Sequence, residues 1–381
     1  MEQLISRVAA RAGRNRAETA KAEGARDRPR RLLVVGVGSA GCAAAEWVYE
    51  ETPDAATLTV NTDRFSLEIH KSETKLLLGE RIFHGRGAEG HVEAARRSAR
   101  EAERELGDLM DGFEIVAVLA ALGGGTGTGA APVVAAVARA RGAAVVAVAA
   151  LPMRAERRRR ERAFSALGDL KREAHTTILL DNEALLPIAG NLPIATALGV
   201  MDCFMAEVPR ALSRAALHSE DRAAAEREAR ELVLTGGVGT LVYGEWGGPD
   251  GIPCAEHALI EPAGGVPNFA LIHITSHNGR APPSAERVLD QISDRLKTER
   301  PPAGRVRLSV SANPAISAGG SLVSVVAGIA DPCADLSDAP AVSIEPTRVV
   351  AVPPVPPSRA VDATTPPPQS APFVDLAKPS P

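Results

Sequence analysis

Aromatic residues are scarce in this chain: Phe, Trp and Tyr together make up 3% of its 381 residues. A surface that grips nucleic acid by stacking on its bases needs more of them. The net charge of −4 offers no polyelectrolyte attraction in their place, so no nucleic-acid partner is expected. Cysteine is also sparse. Cys42, Cys203, Cys254 and Cys333 stand far apart, with no Cys-x-x-Cys pair among them. Neither a zinc site nor a disulfide framework is expected, and reduced thiols in a cytoplasm are the simplest reading. No apolar run approaches the roughly 20 residues that span a bilayer, and the Arg-rich N-terminus lacks the apolar centre of a signal peptide. What remains is a soluble chain, long enough for about two domains plus tails.

Composition and periodicity divide the chain. Residues 1–30 are rich in Arg, Ala and Glu, with Leu4, Ile5 and Val8 forming one short helical stripe, readable first as a frayed, solvated helix and otherwise as a membrane or partner anchor. Residues 31–198 then alternate short apolar runs with helical stretches. The runs are Arg31–Val35, Thr57–Val60, Phe113–Leu122, Ala143–Leu151 and Thr177–Leu180, and helices are expected near Ala40–Glu50 and Ala131–Arg141. Such alternation indicates an α/β fold, a parallel sheet covered on both faces. Ligands in such sheets sit beyond the carboxyl ends of the strands.

Residues 199–234 read as a long, mostly helical connector, since Ala197–Leu232 has no strong breaker apart from Pro209. Residues 235–332 hold four more strand-like runs and a helical stretch near Ser284–Leu296, the order of a smaller α+β domain. Residues 333–381 carry 12 of the 29 prolines, so a disordered tail is expected. Near its end, Phe373-Val374-Asp375-Leu376 is a small apolar island, readable as a partner-docking peptide or as inert tail.

Two glycine loops carry the chemistry. Gly36-Val37-Gly38-Ser39-Ala40-Gly41 follows a strand and opens a helix. Its glycines let the backbone approach an anion, and the helix N-terminus adds unpaired N–H groups and partial positive charge. Alone it fits a dinucleotide fingerprint, with Asp63 at the distance of a ribose-binding acid. An oxidoreductase reading, however, leaves the second loop without a role. Gly123-Gly124-Gly125-Thr126-Gly127-Thr128-Gly129 places five glycines and two threonines between a buried strand and a helix. Successive N–H groups can converge there on phosphate oxygens, and the hydroxyls add neutral donors. No Gly-Lys-Ser/Thr follows, so this is not a Walker loop.

The second loop, continued by Ala130-Ala131-Pro132-Val133-Val134, resembles the signature of the FtsZ/tubulin family, closer to FtsZ, and the resemblance runs from about Leu32 to Ile329. It implies a parallel-sheet GTP-binding domain joined by a central helix to a smaller domain. Gly36, Gly38, Ser39, Ala40 and Gly41 resemble the family's first nucleotide loop. Asn61-Thr62-Asp63 matches its Asn-Thr-Asp element near the phosphates, and Gly85-Arg86-Gly87-Ala88 its γ-phosphate loop. Glu156 and Arg160 stand where the family places a ribose-contacting Glu and a nearby Arg. Asn182 and Asp202 match its two guanine readers. A carboxylate can accept from the N1–H and exocyclic amine of guanine, groups that adenine lacks at those positions. The resemblance further implies GTP and GDP as ligands with Mg²⁺, head-to-tail self-association into filaments, a role in cell division or cell shape, and a division or membrane-associated protein as the tail's partner.

One segment departs from the pattern. The family's hydrolytic loop carries NxDxxD and acts on the nucleotide of the next subunit. An ungapped match places Ala223-Ala224-Ala225-Glu226-Arg227-Glu228 there. The Asn and first Asp are lost, Glu228 stands for the second Asp, and His218–Leu232 reads as continuous helix. Glu220 and Asp221 are alternative acids in a shifted register, and Glu226 and Glu228 also suit surface pairs with Arg222 or Arg230. GTP binding with weak or absent hydrolysis is therefore the second reading. Glu89, beside the γ-phosphate loop, would repel phosphate unless it points away or meets Mg²⁺. The run Arg157–Arg160 is expected to solvate a loop, Arg160 apart.

Overall fold

Runs of aliphatic residues form the centre of one sheet. A computed structural model describes Ile5 and residues 31–217, 222–246, 257–260, 269–276, 306–312 and 321–329. Strands β1 (Leu32–Val37), β2 (Ala55–Asn61), β3 (Thr74–Leu77), β4 (Ile115–Ala121), β5 (Ala144–Leu151) and β6 (Thr176–Asp181) lie parallel in the order β6-β5-β4-β1-β2-β3. Alternate residues enter opposite cores, as the two-residue period of a strand requires. Leu33, Val35 and Val37 enter one, Leu32 and Val34 the other. Both faces of β1, β2, β4, β5 and β6 being buried, these strands read as near-continuous apolar runs, whereas the edge strand β3 is only partly buried.

Helices cover both faces. They are α1 (Gly38–Glu51), α2 (Arg64–Ile69), α3 (Val92–Glu101), α4 (Glu103–Met110), α5 (Thr126–Ala140), α6 (Arg157–Glu173), α7 (Ile194–Leu217) and α8 (Arg222–Leu234). Leu106, Met110, Val134, Leu167 and Leu170 place α4, α5 and α6 on one core. Trp47, Phe204, Met205 and Leu232 place α1, α7 and α8 on the other. Ile5, expected on a frayed helix, packs against this second core.

Beyond α8 the sheet continues. β7 (Gly237–Trp246) pairs parallel with β6 through Thr176–Ile178 against Gly237–Gly239, and β8 (His257–Ala258) pairs antiparallel with β7. β9 (Ala270–Ser276), β10 (Val306–Ala312) and β11 (Ser321–Ile329) complete the order β10-β9-β11-β7. Thus the strands of residues 235–332 extend the same sheet.

The structure refines one expectation and corrects another. The connector is two helices, α7 and α8, which pack against each other, and α7 accommodates Pro209 within its length. The arginine run is the first turn of α6, not a loop. The runs that became β3, α2, α3 and α4 gave no expectation, being short or polar. The expected helix at 284–296, the acids Glu220 and Asp221, and the tail at 333–381 lie outside the described residues.

Candidate nucleotide site

Five connections leave the carboxyl ends of β1, β2, β4, β5 and β6 on one pole of the sheet. β1 runs directly into α1, and β4 into the second glycine loop and α5. Both helices begin without a side-chain cap, at Val37 and Gly125, and neither has an acid in its first turn. Their first N–H groups are unpaired and both dipoles present positive charge to this pole. The loops touch: a β-carbon on Gly38, whose φ is +75°, would stand 3.0 Å from the Gly127 nitrogen. One at Gly124 would meet nothing within 4 Å, so the backbone faces open space there.

The threonines brace the loop. Thr128 is fully buried and its Oγ1 accepts the Gly123 N–H at 2.7 Å. The hydroxyls of Thr126 and Thr62 lie 2.7 Å apart, tying the glycine loop to the Asn-Thr-Asp element. Asn61 is buried; its Oδ1 accepts the N–H groups of Thr62 at 2.8 Å and Asp63 at 3.3 Å, and its Nδ2 donates to Ser39 Oγ at 3.4 Å. Asp63 caps α2 by accepting the Ser66 N–H at 3.2 Å. The 85–88 loop lies along this element, with the Gly87 N–H on the Thr62 carbonyl at 3.1 Å and Ala88 buried. Glu89 is exposed, with φ at +46°. Beneath the first loop, burial pushes the Cys42 thiol up to about 12, leaving it a packing group rather than a nucleophile.

The opposite flank of the pole is organised by an acid that the sequence reading passed over. Arg160 turns inward. Its Nη1 donates to the Pro152 carbonyl at 2.5 Å and to Asp181 Oδ1 at 3.1 Å, and its Nη2 donates to Asp181 Oδ2 at 2.7 Å. Asp181 Oδ1 also accepts the Glu183 N–H at 3.0 Å, so the turn holding Asn182 is fixed from both sides. Asn182 is buried, and among the described residues its Oδ1 has no hydrogen-bond partner. A buried, unpaired acceptor costs about 1–3 kcal/mol, which suits a position reserved for a ligand donor. Asp202 is half-buried on α7, which packs against the Asn182–Leu185 turn. Glu156 folds back on its own loop. Its Oε1 accepts the Met153 N–H at 3.2 Å and its Oε2 the Arg159 guanidinium at 2.5 Å.

Glu226 and Glu228 lie at the other pole. Glu226 Oε2 takes the Arg31 Nε at 3.0 Å, just before β1, and Arg31 Nη1 holds Glu114, just before β4, at 2.5 Å. Arg230, on the same helix, donates to the Gly142 carbonyl at 3.4 Å, just before β5. The strands between the poles are six to eight residues long, roughly 20 Å. Glu228 is exposed on this face.

Residues 31–190, which hold all five of these connections and the 85–88 loop, match the family described as Tubulin/FtsZ family, GTPase domain. Cell division protein FtsZ 2 of Halobacterium salinarum is 32% identical over 272 residues, 70% of this chain and 69% of that protein. The chain belongs to the tubulin/FtsZ family. Its similarity to cell division protein FtsZ 1 of Archaeoglobus fulgidus, 30% identical, reaches 78% of this chain and 85% of the relative. The fold agrees. An FtsZ dimer structure from M. jannaschii superposes with a TM-score of 0.68 at 24% identity, over 82% of this chain and 92% of that one. CetZ2 of Haloferax volcanii, a GTPγS-bound protofilament, gives 0.61 at 22% identity over 79% and 94%. Membership of this GTPase family implies a guanine nucleotide, and the glycine-loop pole, with open space at Gly124 and a free acceptor at Asn182, has the donors and acceptor to receive one. Among the described residues no single helix is long and apolar enough to cross a membrane.

Proposed function

We propose that this chain is an FtsZ-type cytoskeletal GTPase that binds GTP at the glycine-loop pole, polymerises head to tail in the cytoplasm, and cleaves GTP where two subunits meet. The convergence of five loops on two uncapped helix N-termini carries the reading. Gly36–Gly41 and Gly123–Gly129 would cradle the phosphates with backbone N–H groups, Gly87 and Ala88 would bound the γ-phosphate, and Glu156 would meet the ribose. Asn182 and Asp202 would read guanine. In this reading Arg160 positions Asp181 and the turn beyond it, rather than touching the nucleotide. The described residues hold no cluster of three metal-ligating side chains, so Mg²⁺ would be held by phosphate oxygens and water, the usual habit of this ion, with Asp63 close by.

Glu226 ties α8 to Arg31, just before β1, at the end of the sheet away from the glycine loops, so in this reading Glu228 would act on a neighbour's nucleotide. A contact that joins unlike poles repeats without closing and makes a filament. Exposed apolar side chains at the nucleotide pole, Phe65 beside the Asn-Thr-Asp element and Leu186, Ile194 and Leu198 near the guanine side, supply a surface for that contact. Residues 31–198 would form the GTP-binding domain, 235–332 the smaller domain, and the tail would carry the docking peptide for a division or membrane-associated protein.

A second reading, a filament that holds GTP but hydrolyses it poorly, is favoured by Ala223-Ala224-Ala225 at the hydrolytic position and by Glu226 being engaged with Arg31. Sedimentation with GTP, GDP or no nucleotide, with phosphate release followed in the same tube, separates the two. The first reading expects GTP-dependent pelleting with phosphate release that Glu228→Ala abolishes. Pelleting without release by wild type selects the second.

A further inference from the structure

Beside the phosphate pole lies a cavity of about 430 Å³, between the first turn of α3 and α6. Two guanidiniums line it. Arg96 is largely engaged: its Nη1 donates to Asp169 at 2.6 Å, and Asp169 is shared with Arg172. Burial opposes ionisation of Asp169, but the two arginines offset it and hold its carboxyl below the usual range. Arg162 is different. Among the described residues its guanidinium makes one hydrogen bond, a long 3.5 Å approach to the Gly90 carbonyl, and its Nε, like that of Arg96, is buried without a hydrogen-bond partner. No carboxylate lies within ion-pair reach of it among the described residues. The nearest acid on the rim, Glu93, is 84% exposed and leans 3.6 Å from Arg96. Beside the recess Arg96 and Arg172 share Asp169, and of the two guanidiniums that line it only Arg96 has an acid partner among the described residues. A partly buried cation without a counter-ion is costly, and here it borders a space with room for a small ligand.

We propose that this cavity is a second anion site, distinct from the nucleotide pole, for a small molecule carrying one phosphate or carboxylate group. A guanidinium offers paired donors that match either oxyanion. Arg162 supplies that fork, the Ser165 hydroxyl on the same helix adds a donor or acceptor, and Val92 and Ala166 provide an apolar wall for the rest of the molecule. The site also backs directly onto the glycine loop. A β-carbon on Gly125 would stand 2.9 Å from the Gly90 nitrogen, and one on Gly129 only 2.2 Å from the Val92 carbonyl oxygen. With no slack in that contact, an anion that shifts Gly90 shifts the phosphate loop, and coupling between the two sites is reciprocal.

The test is calorimetric titration of the full chain with inorganic phosphate, phenyl phosphate and benzoate, each with and without saturating GTP. Phenyl phosphate or benzoate should bind in the presence of GTP, and whichever gives heat identifies the oxyanion. Arg162→Gln should weaken that binding about tenfold, the effect of losing one charge-assisted pair. Ser165→Leu, which fills the recess from an exposed position and leaves the charge alone, should abolish it. Equal binding by wild type and both variants, binding seen only without GTP, or no binding of any probe up to about 10 mM would overturn the proposal.

Discussion

Asp181 is held by both terminal nitrogens of Arg160, at 2.7 and 3.1 Å, while one of its oxygens also accepts the Glu183 N–H. Their side chains are 10% and 19% exposed. The pair therefore ties the start of α6 to the end of β6, and it fixes the turn on which Asn182 stands.

Arg160→Ala should leave Asp181 without its fork, in a largely dry place. Breaking such a pair from one side costs about 2–4 kcal/mol. The expected outcome is a lower urea midpoint together with weaker GTP binding, both measured on the same preparation. Arg160→Lys should recover little of either, because a point charge does not replace a planar fork.

Asn182→Ala should behave in the opposite way. The side-chain oxygen is buried and unpaired, so removing it relieves a cost instead of breaking a bond. Stability should stay level or rise, while GTP affinity falls about tenfold, the worth of one good hydrogen bond to a ligand. Equilibrium unfolding and calorimetry with GTP check the two halves. A fall in stability with unchanged affinity would show that the residue serves packing alone.

Two glycines of one loop should part company on mutation. At Gly127 a β-carbon would stand 2.4 Å from the Ala121 carbonyl oxygen, whereas at Gly124 it meets open space. Gly127→Ala should destabilise the fold by about 2 kcal/mol or more, an overpacking cost. Gly124→Ala should unfold like wild type and yet bind GTP more weakly, because the added methyl occupies the space the phosphates need. Unfolding midpoints set beside GTP titrations of both variants decide it.

A pH effect belongs to His175. Its Nδ1 accepts the Val145 N–H at 3.0 Å, which requires that nitrogen to be unprotonated. Burial, then Arg139 and Arg230, hold its pKa below the ordinary value near 6.5. The unfolded chain therefore takes up the proton first as the pH falls. This contribution is fully present above about pH 6.5 and is lost between there and the lower folded-state value. Unfolding midpoints at pH 7.5 and 5.5 should differ by less in His175→Asn than in wild type.

Much of the fold was legible because fully buried parallel strands must be apolar throughout. β1, β4 and β5 could hardly be missed, and the glycine loops between strand and helix located the nucleotide pole. Polar or short elements were not legible. α6 begins with four arginines, a poor start for a helix against its own dipole, and it reads as loop until Ala163, Leu167 and Leu170 are seen to face the core. Arg160 looked like a ligand because its place in the family pattern says nothing of the acid across the strand end. Glu226 looked like a partner for its helix neighbours. The structure instead joins it to Arg31, which stands 195 positions earlier in the chain, and no local spacing encodes that.

The junction of β6 with β7 has a mechanical meaning. Only three residue pairs join these strands, against six for β5–β6 and nine for β11–β7. Gly236 precedes it and Gly237 opens it, with φ of +81° and +102°. Two hydroxyls reinforce the seam, Thr176 on the Val233 carbonyl at 2.6 Å and Thr240 on the Leu179 carbonyl at 3.1 Å. Tension drawn across the sheet would concentrate where the ladder is shortest. The backbone ladder would open there first, leaving the side-chain cores that run across the seam on both faces to carry the load.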